Sequence, residues 1–545
     1  MDAAVTELAN PAPTPGSESD AALREDPDPA LVALLRTDLA QAGYTADAVR
    51  ALWGPLADEA IGHGLTGPAL RALDRIEGEG AVAADDRPDG AAVRVATLAR
   101  LLFLGAPTPL ASVDAALPHA GARGLAALGL AAIEGARVVP RVLLRPQDYA
   151  DGGADGGWWV ASDLDEAALG GPLPPGHVLG VGGASLTLAG LQLPTPATRV
   201  LDLGTGCGIQ ALRARAYAAH VVATDVSERA LAFTRLNVLL NEGAAAVEVR
   251  HGSLFAPVAG EEFDRVVSNP PFVITPRAAG VPAYEYRDAG FAGDDLVAAF
   301  VSGVGGVLAS GGVAQLLGNW EYRGGEDGLE RVRAWVDASS EPLDAWVIER
   351  EQLDPLAYAE LWVRDGGTAP GTPGYATLVE AWLADFAARD VTAIGFGYLL
   401  LRRTATGTPT LRRFERIAHP LPGGSLGAHL AEALTAHDAL AVLDDDALSA
   451  TRVVVAGDVT EARHHLPGVE APSVIELRQG GALARTIEVD PALAALVGAS
   501  DGDLPLGPLI AAIADLLEVD AAALRADILP RVRELVFAGF LHLAD

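Results

Sequence analysis

Val200-Leu-Asp-Leu runs straight into Gly204-Thr-Gly-Cys-Gly-Ile-Gln, an apolar strand opening onto a glycine turn and then a helix. Glycine adopts left-handed backbone conformations freely and carries no Cβ. Such a turn lets a ligand lie against the main chain at the carboxyl end of a strand, where open α/β sheets bind ligands. Gly208 follows Gly204 by four residues, not the five of the dinucleotide fingerprint, which disfavours a nicotinamide or flavin nucleotide. The next apolar run ends at Asp225, 21 residues after Gly204, where a carboxylate can accept both hydrogen bonds of a ribose diol. Together these features suit a nucleoside ligand without phosphates.

Around this turn, β-branched runs alternate with helical stretches. Strands are expected at 199–203, 220–225, 247–250, 263–268 and 313–317, an order that implies right-handed βαβ crossovers and a parallel sheet. Further helices follow. Segments 394–403 and 409–417 then flank Thr404-Ala-Thr-Gly-Thr and read as a hairpin, so the open α/β sheet is expected to finish antiparallel.

A second motif closes the fourth of these strands: Phe263-Asp-Arg-Val-Val-Ser-Asn-Pro-Pro-Phe. Two prolines fix φ and remove two amide donors, placing Asn269 and the Pro270 carbonyl on a stiff loop facing the same crevice. The Asn269 Oδ1 and Pro270 oxygens can accept both protons of a planar NH2 group, and Phe272 offers a flat face for stacking. Alone, Asn-Pro-Pro could simply end a strand. With the glycine turn and Asp225 on neighbouring strands, a ligand role is favoured.

The remaining chain divides around this core. At about 100 to 200 residues per domain, 545 residues suggest about three domains. Residues 1–28, rich in proline and acids, read as a disordered leader. Residues 29–165 read as a helical domain, beginning with the stripe Leu31, Leu34, Leu35 and Leu39. Within it, helices ending near Leu104, after Pro107 and at 121–128, then strands 137–144 and 158–162, are winged-helix-like. The third helix offers only Arg123 for base readout, which favours packing or protein contact. Residues 166–418 form the α/β domain, and 419–545 a small α+β domain with strands near Val453, Ser473 and Arg485 and a helical unit over 506–543.

Acidic residues outnumber basic ones 72 to 39, a net charge of −33, so strong general nucleic-acid binding and anionic membranes are disfavoured. Every basic residue is Arg, which excludes a Schiff-base or P-loop lysine. Arg402, Arg403, Arg412, Arg413 and Arg416 cluster on the expected hairpin and are expected to pair with neighbouring carboxylates rather than RNA. His464-His465 reads as a surface pair, and no metal is expected. The lone Cys207 and the absence of any secretory-type leader or run of 18 apolar residues point to the cytoplasm, with no membrane partner.

On these motifs, residues 176–418 resemble class I S-adenosylmethionine-dependent methyltransferases with an Asn/Asp-Pro-Pro-Tyr/Phe motif. The resemblance implies a seven-stranded, mostly parallel Rossmann-like sheet and S-adenosylmethionine as cofactor. It implies that Asp202, Gly204, Thr205, Gly206 and Gly208 surround the methionine part, and that Asp225 binds the ribose hydroxyls. Ser253 stands near the adenine, where many relatives have aspartate, and Asn269, Pro270, Pro271 and Phe272 hold the methyl acceptor. Tyr284-Glu-Tyr-Arg-Asp-Ala-Gly-Phe-Ala-Gly-Asp-Asp-Leu is similar to the acidic, glycine-rich stretch of HemK/PrmC-like enzymes, which methylate a glutamine amide. A protein acceptor is therefore expected. An exocyclic amine of an rRNA or tRNA base, a natural-product amine, and a non-catalytic cofactor-binding regulator remain alternatives. Gly180-Val-Gly-Gly-Ala-Ser-Leu-Thr reads equally as a lid over the cofactor and as an interdomain linker.

Overall fold

Strand residues 199–203 and 220–225 extend into a sheet that carries the candidate site. The computed structural model describes residues 23–77, 90–151, 154–171, 173–242, 246–277 and 290–544. Leader residues 1–22 and the 284–289 part of the acidic stretch lie outside the described residues. The chain forms two units, Met1–Gly170 with Arg235–Asn241, and Gly171–Thr234 with Glu242–Asp545.

The first unit begins with helix Pro29–Ala42, capped by Asp28 Oδ1 accepting from the Ala30 amide at 2.9 Å and ended by Gly43 at φ +70°. Its buried face is Val32, Leu35 and Leu39, whereas Leu34 is 41% exposed, so the expected stripe is rotated about the helix axis. Helices Gly90–Leu98, Leu110–Ala116 and Gly121–Ala127 accompany a small sheet ordered Thr108–Pro109, Arg137–Pro140, Ala131–Glu134. The expected strand 137–144 is two strands: Arg137–Pro140 pairs with Ala131–Glu134, and Val142–Asp151 pairs with Ala154–Asp163. Pro140 has no amide with which to continue a ladder, and the chain changes sheets at Arg141. Asn241 and Asn237, one helical turn apart, complete the outer edge of the long hairpin. The Asn241 amide accepts from Trp159 N at 3.0 Å and donates to Trp159 O at 2.9 Å, and Asn237 does the same for Ala161 at 2.7 and 2.9 Å.

In the second unit, β1 Ala197–Leu203, β2 Ala218–Asp225, β3 Val247–His251, β4 Phe263–Ser268, β5 Leu308–Arg323, β6 Leu343–Leu353, β7 Val391–Arg403 and β8 Arg412–Arg416 form one sheet. Its order is β8-β6-β7-β5-β4-β1-β2-β3. Strands β3, β2, β1, β4 and β5 run parallel, β7 is antiparallel to β5 and β6, and β8 is parallel to β6.

Two expectations are corrected here. The sheet has eight strands, not seven. The segments 394–403 and 409–417 are not a hairpin, because β6 lies between β7 and β8. Asp344 on β6 makes that crossing stable: its Oδ1 accepts from the amides of Thr410 at 2.7 Å and Leu411 at 2.9 Å, and its Oδ2 from Arg402 at 2.8 Å.

Helices α1 Gly183–Leu191, α2 Ile209–Ala214, α4 Asp295–Gly303, α5 Gly328–Asp337, α6 Pro355–Asp365 and α7 Pro373–Ala388 belong to this unit, as do residues 228–234 of α3 Glu228–Leu240. Val297 and Phe300 of α4 and Val332 and Val336 of α5 pack with Ala314, Leu316 and Trp320. Leu188 and Leu191 of α1 pack with Val313 and Leu317, residues of β5 that alternate with those. Each such fully buried aliphatic side chain contributes about 2 kcal/mol of apolar transfer.

The C-terminal region of this unit holds an antiparallel sheet of Val459–His464, Val474–Gln479 and Thr486–Val489, and a second in which Arg452–Val455 lies between Asp501–Pro505 and Leu541–Leu543. Helices Leu506–Leu517 and Ala521–Phe537 occupy most of the expected helical unit. No helix of the described residues is long and apolar enough to cross a membrane.

Candidate cofactor and acceptor site

The turn after β1 is held from β2: the amides of Gly204 and Thr205 donate to Thr224 O at 2.9 and 3.0 Å. Gly204, Gly206 and Gly208 take φ of +73°, +56° and +85°. A Cβ built on Gly204 or Gly206 meets no atom within 4 Å, whereas one on Gly208 comes within 3.2 Å of Thr234. The first two glycines thus leave a cradle beside the main chain, and the third allows close packing with α3.

Asp202, the penultimate residue of β1, is fully buried. Its Oδ2 accepts from Thr205 Oγ1 at 2.6 Å and from the Ala211 amide at 2.9 Å, while its Oδ1 is buried with no hydrogen-bond partner among the described residues. Burial pushes the carboxyl up to about 7, although the two donors oppose that rise. A buried oxygen without a donor is destabilising by about 1–3 kcal/mol, and a cationic donor arriving there would remove that cost. The residues therefore fit an amino-acid ammonium group.

Asp225 ends β2, half-buried, with Oδ2 accepting from the Gly206 amide at 3.0 Å and Oδ1 from the Ser227 amide at 2.9 Å. Its carbonyl accepts from the Gly252 amide at 2.9 Å, which brings the exposed Ser253 to the turn after β3.

Asn269 follows β4, whose last residue donates from Ser268 Oγ to Leu203 O at 2.7 Å and so ties the end of β4 to the end of β1. Asn269 Nδ2 donates to Ser185 Oγ at 3.4 Å; Asn269 Oδ1 is buried without a partner among the described residues. Pro270 is buried, Pro271 and Phe272 are half-buried, and the Phe272 ring lies 5.5 Å from that of Phe396 on β7.

The segment 180–187 enters this region as the start of α1. Its Ser185 carbonyl accepts from Gln210 Nε2 at 2.8 Å, and Gln210 Oε1 accepts from Gln192 Nε2 at 2.7 Å. Ser185 and Gln210 stand inside the two glycine-rich motifs, but their bond is not legible there, because polar residues on an apolar helix carry no periodic signal of their partners.

The five clustered arginines are paired with carboxylates. Arg402 meets Asp344 and Asp438, both at 2.8 Å; Arg403 meets Glu262 at 3.0 Å; Arg412 meets Asp337 at 3.0 Å; Arg413 meets Glu534 at 2.7 Å; Arg416 meets Glu349 at 2.9 Å. His464 lies on an outer strand with its Nε2 3.1 Å from Glu476 Oε2. Cys207 is buried in the turn, and burial pushes its thiol up to about 12, so it supplies no thiolate near neutral pH. The site offers oriented acceptors and a cradle rather than a nucleophile.

Residues 182–280 match the methyltransferase small domain family, and residues 41–141 match a domain of unknown function (DUF7059). The chain is 31% identical over 204 residues to the release factor glutamine methyltransferase of Moorella thermoacetica, covering 32% of this chain and 71% of that protein. It is 41% identical over 91 residues to the release factor glutamine methyltransferase of Cereibacter sphaeroides, covering 16% of this chain and 32% of that one. It is 37% identical over 102 residues to the ribosomal protein L11 methyltransferase of Shouchella clausii, covering 18% and 32%. Thus the chain spans most of the first relative and 32% of each of the other two.

Proposed function

Because the chain belongs to the HemK/PrmC-like family of class I S-adenosylmethionine-dependent methyltransferases, we propose that it methylates the side-chain amide nitrogen of a protein glutamine. The observation that carries this reading is the buried Asn269 Oδ1, without a partner among the described residues, on its proline-stiffened loop at the strand end next to the glycine cradle.

S-adenosylmethionine supplies an electrophilic methyl group when bound. Gly204, Thr205 and Gly206 would hold its methionine part with Asp202, while Gly208 seats the turn they stand on against α3; Asp225 would hold its ribose, and Ser253 would stand at the adenine. Asn269 Oδ1 and the Pro270 carbonyl accept the two amide protons of the glutamine, which turns the nitrogen's π face toward the methyl group, and Phe272 covers the planar amide. Positioning is the main source of rate. No general base is required, since the nitrogen loses its proton to water once it is cationic.

The relatives, two release factor glutamine methyltransferases and a ribosomal protein L11 methyltransferase, support a protein acceptor. A structured RNA acceptor would need cationic contacts with several phosphates, and the arginines of the 402–416 cluster are engaged by carboxylates. Residues outside the methyltransferase core would select the protein, and the lone buried Cys207 supports a reducing, cytoplasmic setting.

Labelled S-adenosylmethionine incubated with the enzyme and cell lysate, followed by separate ribonuclease and protease digestion, tests the reading. Label released by protease and recovered as methylglutamine is expected; label released by ribonuclease alone would overturn it.

A further inference from the structure

Helices α6 and α7 are inserted between β6 and β7. Because β6 runs parallel with β4 and β5, its carboxyl end, and so the start of the insertion, stands at the edge of the sheet where β4 gives way to Asn269. The insertion starts sharply: Asp354 Oδ1 accepts from the Ala357 amide at 2.9 Å and Pro355 fills the first turn.

Its buried face is aromatic. Tyr358 is 3% exposed, with its ring 5.9 Å from those of Trp382 and Phe386 on α7. Val273 and Ile274, which directly continue the Asn-Pro-Pro-Phe loop, are buried in the same cluster. The Tyr358 hydroxyl oxygen accepts from the Ile274 amide at 3.0 Å and from Asn319 Nδ2 of β5 at 2.6 Å. Asn319 is itself 2% exposed. One phenol therefore ties the far end of the acceptor loop to the sheet. Between Ile274 and Asn269 stand Pro270 and Pro271, whose φ angles are fixed, and Phe272 and Val273, which pack in the same cluster, so a displacement of Ile274 is transmitted along the loop.

We propose that Tyr358 is a positioning residue for methyl transfer, which fixes the place of Asn269 Oδ1 and the Pro270 carbonyl by holding the Ile274 amide. This rests on the reading of Asn269 as the acceptor ligand. The α6–α7 insertion is thus the support of the acceptor site, and the cofactor cradle on β1 and β2 is independent of it.

Tyr358→Phe keeps the ring and removes the hydroxyl. Hydrogen exchange of the full chain should speed up about tenfold in peptides containing Ile274 and stay unchanged in those spanning 197–225. Cofactor affinity should stay within about twofold, while turnover falls about tenfold. In an Asn269→Ala background the same substitution should lower turnover by clearly less than about tenfold, because the Asn269 part of what Tyr358 positions is already gone and only the Pro270 carbonyl remains. Unchanged exchange at Ile274, or a full tenfold loss of turnover on top of Asn269→Ala, would overturn the proposal. Failure of the wild type to methylate glutamine in lysate protein would instead overturn the acceptor reading, and the exchange comparison would still decide the role of Tyr358.

Discussion

The Gly206 amide donates to Asp225 Oδ2 across 3.0 Å, which joins the turn after β1 to the carboxylate that ends β2. Loop and carboxylate are one hydrogen-bonded unit, so a change in either is felt by the other.

Asp225→Ala removes both the anchor of the Gly206 amide and the oxygens expected to receive ribose hydroxyls. S-adenosylmethionine affinity should fall by about 1 to 3 kcal/mol, the range for charge-assisted hydrogen bonds. Calorimetry with the cofactor and its demethylated product checks this; unaltered affinity would remove Asp225 from the cofactor site.

Asn269→Ala separates binding from chemistry. Cofactor affinity should be nearly unchanged, and turnover should fall by about a hundredfold, as for loss of one oriented hydrogen-bonding group. Equal turnover in mutant and wild type would exclude Asn269 from the mechanism.

Asp202, if it receives the cofactor's ammonium group as proposed, would make cofactor binding pH-dependent. Its pKa of about 7 is raised from the ordinary value near 3.8, so the folded state without ligand favours the protonated acid. That group's contribution to stability is full below pH 3.8 and is lost as pH rises toward 7. An ammonium partner favours the carboxylate, so cofactor affinity should rise with pH up to about 7 and then level off. Calorimetry between pH 5 and 8, about 2 units below to 1 above the midpoint, should show that slope in wild type and a flat profile in Asp202→Asn. A slope retained in Asp202→Asn would assign the titration to another group.

The glycines of the turn should respond differently to alanine. Gly208→Ala places a Cβ 3.2 Å from Thr234 at φ +85°, so thermal unfolding should show a loss of about 2 kcal/mol. Gly206→Ala meets open space at φ +56°, so it should cost about 1 kcal/mol of stability while its methyl group intrudes on the cradle and weakens cofactor binding. Equal effects of the two on stability and on binding would contradict the two roles.

Much of the site was legible because its parts are local. Strands 199–203, 220–225, 247–250 and 263–268 stand within β1 to β4, and the glycine turn, Asp225 and Asn269 fall at strand ends where short-range backbone chemistry puts them. Pairing was less legible. In β6, Leu343 to Ile348 are buried on both faces, so the segment lacks the alternation that marks a strand and reads as a helix or a strand alike. Without β6 the neighbouring runs read as a hairpin, whereas in the sheet β6 lies between them and its Asp344 accepts from the amides of Thr410 and Leu411.

The sequence by itself determined a parallel α/β core with a glycine turn, a carboxylate and a stiff Asn-Pro-Pro-Phe loop at strand ends, because glycine, proline and β-branched residues act on their own few dihedral angles. Only the tertiary structure decided the eighth strand, the approach of Ser185 to Asn269, and the bond from Ile274 to Tyr358. Those last pairs lie 84 residues apart in the chain. Contacts at that separation depend on strand order and packing register, which no local pattern of residues contains.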